Sequence, residues 1–137
     1  MKLESINHIS IIGTGMIGAS LAALFTGNGY RTTMVAIDDT QAQAGMSRYD
    51  DCFKDLIAKQ LVTEKQARAC AKLLSVTQSY EDIAETDFIF ECVFERLDDK
   101  YGVYELIEKH SHRFQALASS TSAISPDDLC FGFKHKD

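Results

Sequence analysis

Three glycines in the order Gly13-Thr14-Gly15-Met16-Ile17-Gly18, placed directly after the apolar run His8–Ile12, constrain this chain more than any other feature. An apolar strand that runs into closely spaced glycines and then into Ala19–Phe25 reads as strand, tight turn and helix. The glycines play separate parts, since Gly13 makes the turn, Gly15 lets backbone approach a pyrophosphate, and Gly18 lets helix and strand pack closely. The amides of Met16 and Ile17 then open the helix, and its N-terminal end is aimed at the phosphates. A dinucleotide is the expected ligand.

Periodicity extends the alternation of strand and helix. Thr32–Ile37 reads as a β-branched second strand, entered through the helix stop Asn28-Gly29. Gln41 to Gln60 carries Met46, Tyr49, Phe53, Leu56 and Ile57 near a helical period. Thr63-Glu64-Lys65-Gln66 forms a capping box that opens a second helix, which predicts a helical hairpin. Ser75–Thr77 reads as a short strand. The stretch from Phe88 to Val93 reads as a buried strand without alternation, as expected of a parallel strand covered on both faces. Leu97 to Ser111 is the next helix and Phe114–Ala118 a further strand, while Ser125-Pro126-Asp127-Asp128 supplies an N-cap, a proline at the first helical position and two acids. The fold class is α/β: a Rossmann-type, doubly wound, mainly parallel sheet with helices on both faces and a helical hairpin after the second strand. All 137 residues form one such domain, a size that buries about two thirds of the unfolded surface.

A net charge of −6, with Lys134-His135-Lys136 the one basic cluster, argues against nucleic acid or an anionic membrane as partner. Cys52, Cys70, Cys92 and Cys130 are scattered without a C-x-x-C pair, and there is neither a signal peptide nor a long apolar span. They are expected to be buried or half-buried free thiols in a reducing, cytoplasmic compartment, with no metal site. His110 and His112 read as a solvated helix end.

The glycine loop, the hairpin ending in Leu61-Val62-Thr63-Glu64, the segment Glu91-Cys92-Val93-Phe94-Glu95 with Lys100 after it, and Ala118-Ser119-Ser120-Thr121-Ser122 together resemble the N-terminal NAD-binding domain of the 3-hydroxyacyl-CoA dehydrogenases. The resemblance spans essentially the whole chain and takes in relatives acting on free hydroxy acids, such as L-gulonate 3-dehydrogenase with λ-crystallin, and carnitine dehydrogenase. It implies NAD as cofactor, Glu95 and Lys100 on its nicotinamide side, and Ser122 as the serine that hydrogen-bonds the substrate oxygen. It also places Ser120 in the substrate loop and Lys59 near a lysine for a CoA phosphate, and it implies a small-molecule substrate and a homo-oligomer. Read from the residues alone, Glu95 is an exposed loop carboxylate, Ser122 a turn or capping hydroxyl, and Lys100 either solvated or paired with Glu105 or another helix acid.

Departures from the family pattern mark where the carry-over stops. The ribose-binding aspartate position falls on Ala36; Asp38 shares its strand parity and reaches the ribose if the strand extends. Asp38 and Asp39, with no arginine beside them, disfavour a 2′-phosphate. Ser120 and Cys52 stand where the acyl-CoA enzymes carry asparagine and serine. The family's G-x-H-F-x-N-P segment with its base histidine is not among these residues, and His135 lacks that context. The chain is therefore expected to be the cofactor-binding half of a dehydrogenase, without the helical substrate and dimerisation domain and inactive in isolation. The alternative is a nucleotide-binding or interaction module that kept the fold and lost the chemistry.

Overall fold

The computed structural model describes residues 5–133, so Lys134, His135 and Lys136 lie outside the described residues. The elements run β1 (His8–Ile12), α1 (Met16–Gly27), β2 (Arg31–Val35), α2 (Asp39–Ala58), α3 (Glu64–Ala71), β3 (Leu74–Thr77), a 3-10 turn (Tyr80–Ile83), β4 (Phe88–Glu91), α4 (Leu97–His110), β5 (Ala116–Ser119) and α5 (Pro126–Cys130). The five strands form one parallel sheet in the order β3-β2-β1-β4-β5. This is the expected doubly wound architecture.

Alternation along each strand divides the core between two faces. Ile9, Ile11 and Met34 point toward α1 and the α2–α3 hairpin, where Ala19, Ala22, Ala23, Tyr49 and Phe53 close over them. The alanines keep α1 close to the sheet. Ile12, Val35 and Ile89 point the other way, onto Tyr104 and Ile107 of α4, Ile83 and Leu129. The hairpin forms as expected, with the Thr63–Gln66 capping box satisfied in both directions.

Two boundaries and one burial pattern depart from the expectation. β2 ends at Val35; the amide of Ala36 still reaches the Thr77 carbonyl at 2.8 Å, but the chain then turns into α2 instead of extending to Ile37. β5 is Ala116–Ser119, set by pairing with β4, where Phe88 faces Ala116 and Glu91 faces Ser119. β4 does alternate: Ile89 and Glu91 are buried on the α4 side, while Phe88 and Phe90 are half-buried on the other. Cys130 is exposed, while Cys52, Cys70 and Cys92 are half-buried, and all four are free thiols. His110 is half-buried against the Tyr80 ring, with centroids 6.5 Å apart.

Register aligns the carboxyl ends of the strands. Thr77, Val35, Ile12, Glu91 and Ser119 face one another in sequence across the sheet. The order reverses at β1, whose neighbours are β2 on one side and β4 on the other, so the loops after β1 and β4 flank a crevice at the topological switch point.

Candidate functional site at the switch point

The three glycines are not equivalent. Gly13 has φ +112°, and a Cβ there would lie 2.5 Å from the Cys92 carbonyl oxygen, so both conformation and crowding demand glycine. A Cβ on Gly18 would lie 2.2 Å from the Gly13 carbonyl oxygen. Gly15 has φ −66°, open to any residue, and no atom within 4 Å of where its Cβ would stand. The fold therefore explains Gly13 and Gly18, while neither conformation nor packing requires glycine at position 15. Gly15 is the N-cap of α1, whose first turn has neither a side-chain cap nor an acid, and Met16 and Ile17 are 79% and 53% exposed there. Free amides at the positive end of a helix receive phosphate oxygens.

α2 fixes this loop in place, through residues that the sequence alone did not single out. The Thr14 hydroxyl donates to the Gln41 carbonyl at 2.9 Å, and Arg48 donates to the Thr14 carbonyl at 3.2 Å. Gly45 makes the approach possible, since a Cβ there would fall 2.6 Å from Thr14 Cβ. A lone glycine inside a helical pattern was the available signal.

Asp38 does not extend β2. It is the N-cap of α2, and its Oδ1 accepts the Gln41 amide at 2.7 Å. Strand parity with Ala36 therefore does not hold: the chain leaves the pleat after Ala36, and one oxygen of the carboxylate is committed to the helix. Ile37, 84% exposed, and Phe94, 81% exposed, stand after β2 and β4 on either side of the crevice.

On the far side of the crevice lies an ionic network centred on Glu91, for which the sequence suggested no role of its own. Glu91 and Lys100 are both fully buried. Lys100 Nζ lies 2.8 Å from each Glu91 oxygen; Oε1 also accepts the Val93 amide at 2.8 Å, and Oε2 accepts the hydroxyls of Tyr104 at 3.1 Å and Ser119 at 2.5 Å. Lys100 is thus neither solvated nor paired with Glu105; it faces β4. The signal was an acid inside an otherwise apolar strand, since a buried carboxylate must find donors.

Glu95 lies above this network. Its Oε1 accepts the Thr121 hydroxyl and the amides of Ser122 at 3.0 Å and Ala123 at 3.1 Å, and its Oε2 lies 3.4 Å from Lys100 Nζ. The Thr121 hydroxyl, then the two loop amides and Lys100, hold its carboxyl down at about 2 against the opposing effect of desolvation. The structure therefore brings Glu95 and Ser122 together, with Ser122 exposed at the crevice edge. Ser120 continues the strand pairing through its amide to the Glu91 carbonyl at 2.8 Å, and its side chain bonds the Cys92 thiol, which burial pushes up to about 11.

Lys59 is not brought to this cluster. It is the exposed C-cap of α2, and at about 1.5 Å per residue it stands roughly 30 Å along that helix from Asp38.

Similarity to known proteins points the same way. A family model described as the 3-hydroxyacyl-CoA dehydrogenase NAD binding domain matches residues 8–137. The glyoxysomal fatty acid beta-oxidation multifunctional protein MFP-a of Brassica napus is 25% identical over 134 residues, covering 98% of this chain and 18% of its own length. The L-carnitine dehydrogenase of Oceanobacillus iheyensis is 29% identical, with 94% of this chain and 41% of its own covered. The crystal structure of (S)-3-hydroxybutyryl-CoA dehydrogenase from Ralstonia eutropha superposes with a TM-score of 0.89 at 28% identity, covering 95% of this chain and 46% of that one. The chain thus spans less than half the length of these relatives.

Proposed function

Because this chain belongs to the family of 3-hydroxyacyl-CoA dehydrogenase NAD-binding domains, we propose that it serves as the cofactor half of an enzyme oxidising a 3-hydroxyacyl-CoA, or a related free hydroxy acid, to the 3-keto product. The observation that carries this reading is the open face of Gly15, a glycine that neither its φ nor its packing requires. That cradle fits a pyrophosphate: the amides of Met16 and Ile17 would receive it, and a side chain at position 15 would fill the space.

When bound, NAD supplies the hydride acceptor. The chain's own part is binding and orientation. Asp38, with one oxygen committed to its cap, would hold the adenosine ribose with the other, and the exposed Ile37 and Phe94 would give apolar surface to a base. Glu95, with Oε2 beside Lys100, would hold the nicotinamide-side ribose. Ser122, held by its amide on Glu95, would direct its hydroxyl at the substrate oxygen; holding that oxygen in line with the acceptor is positioning catalysis. Ser120 and Lys59 belong to the substrate reading, and Lys59 engages a CoA phosphate if the substrate is a thioester. The occurrence of both a fatty acid beta-oxidation protein and an L-carnitine dehydrogenase among the relatives supports keeping both substrate classes.

A second reading, a nucleotide-binding module without chemistry, draws on Ala36, which leaves the end of β2 without an acid. Fluorescence titration with NADH tests the first requirement. Saturable binding that Gly15→Val removes is the expected result, and no binding by the folded chain would end the cofactor reading and leave only an interaction module.

A further inference from the structure

Arg48 turns away from the acids of its own helix. α2 carries Asp39, Asp50, Asp51 and Asp55 against two bases, Arg48 and Lys54, and an acid three or four residues along a helix is the ordinary partner of an arginine. Asp51 stands at that spacing but pairs with Lys54 at 2.8 Å. Arg48 instead reaches the Thr14 carbonyl through Nη1 at 3.2 Å, and among the described residues it joins no ion pair. Helix geometry accounts for the direction, since side chains lean back toward the helix N-terminus. Arg48 shares a stripe with Gln41 and Gly45, both of which meet Thr14.

This contact puts a full positive charge one peptide from the phosphate cradle. The Thr14 carbonyl and the Gly15 amide belong to the same planar unit, and Gly15 is the N-cap of α1. A guanidinium has five donors; one is spent on Thr14, and the exposed side chain leaves the others available. Among the described residues, no other lysine or arginine hydrogen-bonds residues 13–18. Bracing the loop does not need that charge, because the Thr14 hydroxyl already ties it to the Gln41 carbonyl at 2.9 Å. A dinucleotide does need it. Its pyrophosphate brings a negative charge on each phosphate to a chain of net charge −6, and the helix end answers with the equivalent of about half a positive charge.

We propose that Arg48 is the cation of the phosphate site, a binding residue on α2 whose remaining donors engage the cofactor pyrophosphate while one stays anchored on Thr14. This role rests on the reading that the crevice binds NAD.

The test is NADH titration of the 137-residue chain, Arg48→Met and Arg48→Lys, each at about 0.01 M and about 1 M NaCl. Arg48→Met keeps the apolar stem and loses the charge. It is expected to bind NADH about fivefold or more weakly at low salt, the upper scale of an exposed ion pair, and to lose most of the salt dependence shown by the unmutated chain. Arg48→Lys is expected to recover the salt dependence and most of the affinity. A brace without a charge role would weaken binding equally at both salt concentrations and speed exchange of the Met16 and Ile17 amides. That result, or Arg48→Met binding NADH as the unmutated chain does, overturns the proposal. If Arg48→Met does not fold, Arg48→Gln, which keeps a neutral donor for Thr14, decides by the same readouts. Failure of the unmutated chain to bind NADH would instead overturn the cofactor reading itself, and the role of Arg48 with it.

Discussion

A methyl group placed on Gly18 would lie 2.2 Å from the carbonyl oxygen of Gly13, whereas one placed on Gly15 would meet nothing within 4 Å. The glycine loop thus separates into two positions that build the fold and one that packing leaves open, and the separation is measurable.

Gly15→Val is expected to leave the chain folded, because φ −66° is open to valine and replacing an N-cap glycine costs within about 1 kcal/mol. NADH binding should weaken by more than about tenfold, or ~1.4 kcal/mol. Gly18→Ala should do the reverse, costing about 1–3 kcal/mol of stability or more through overpacking. Thermal melts and NADH titration on both variants check the pair. Equal loss of stability in the two would show that the loop is purely structural.

Cofactor preference follows from Asp38 and Asp39. Asp38 Oδ1 is taken by the Gln41 amide and Asp39 Oδ1 by the Gln78 side chain, and both residues are exposed at the end of β2. A 2′-phosphate there meets two carboxylates, so NAD is expected to bind at least about tenfold more tightly than NADP. Asp38→Ala should narrow that gap and also remove the α2 cap, at about 1 kcal/mol, or roughly 3–5 °C in a chain of this size. Calorimetric titration with both cofactors measures the first, and tighter NADP binding to the unmutated chain would refute the charge argument.

Acid should destabilise the fold in two stages. Burial, then Arg31, holds the His8 ring below its ordinary 6.5. The unfolded chain therefore takes up that proton first, and the stability His8 contributes is complete above about 6.5 and lost as pH falls toward its folded value. For Asp87, burial is outweighed by the amides of Asn7 and His8 and by Arg113, which hold it below 3.8. Glu95, held at about 2 by Thr121 and the loop amides, starts from 4.5. Both acids stabilise above their unfolded values and lose that contribution as pH falls through their folded ones. Melting temperature should therefore begin to fall below about pH 6.5, and His8→Gln should keep it level to about pH 5. Glu95→Gln should soften only the later stage. A His8→Gln profile that matches the unmutated one would show that His8 is not the group responsible.

The fold was readable because its signals are local. Glycine spacing, the Thr63 capping box and the Ser125-Pro126 helix start each specify geometry within a few residues. Asp38 shows where local reasoning stops. Parity along β2 placed it beside Ala36, but parity holds only while the chain stays pleated, and a capping aspartate is what turns it into α2. Glu91 shows the second kind of limit. An acid in an apolar strand announces that it has a partner, yet the choice of Lys100 on α4 over any other base comes from the packing of β4 against α4, which no periodicity carries. Gly45 and Arg48 belong with Glu91, since what they touch lies over thirty residues away at Thr14.

Turnover by the chain itself depends on a proton acceptor near Ser122, and the described histidines are at the wrong edge of the sheet. His8 begins β1, His110 ends α4 and His112 follows it, whereas Ser122 follows the carboxyl end of β5. General acid–base catalysis contributes about 10²- to 10⁴-fold, and the substrate positioning that a second domain would add is worth several kcal/mol more. Binding of NAD without measurable oxidation of 3-hydroxy acids or 3-hydroxyacyl-CoA thioesters is therefore expected. A steady-state assay of NADH absorbance at saturating cofactor, run on a panel of both substrate classes, decides the matter. Turnover that disappears in Ser122→Ala would mean that this chain, or an oligomer of it, supplies its own base at the crevice, and the expectation of binding without turnover would be wrong.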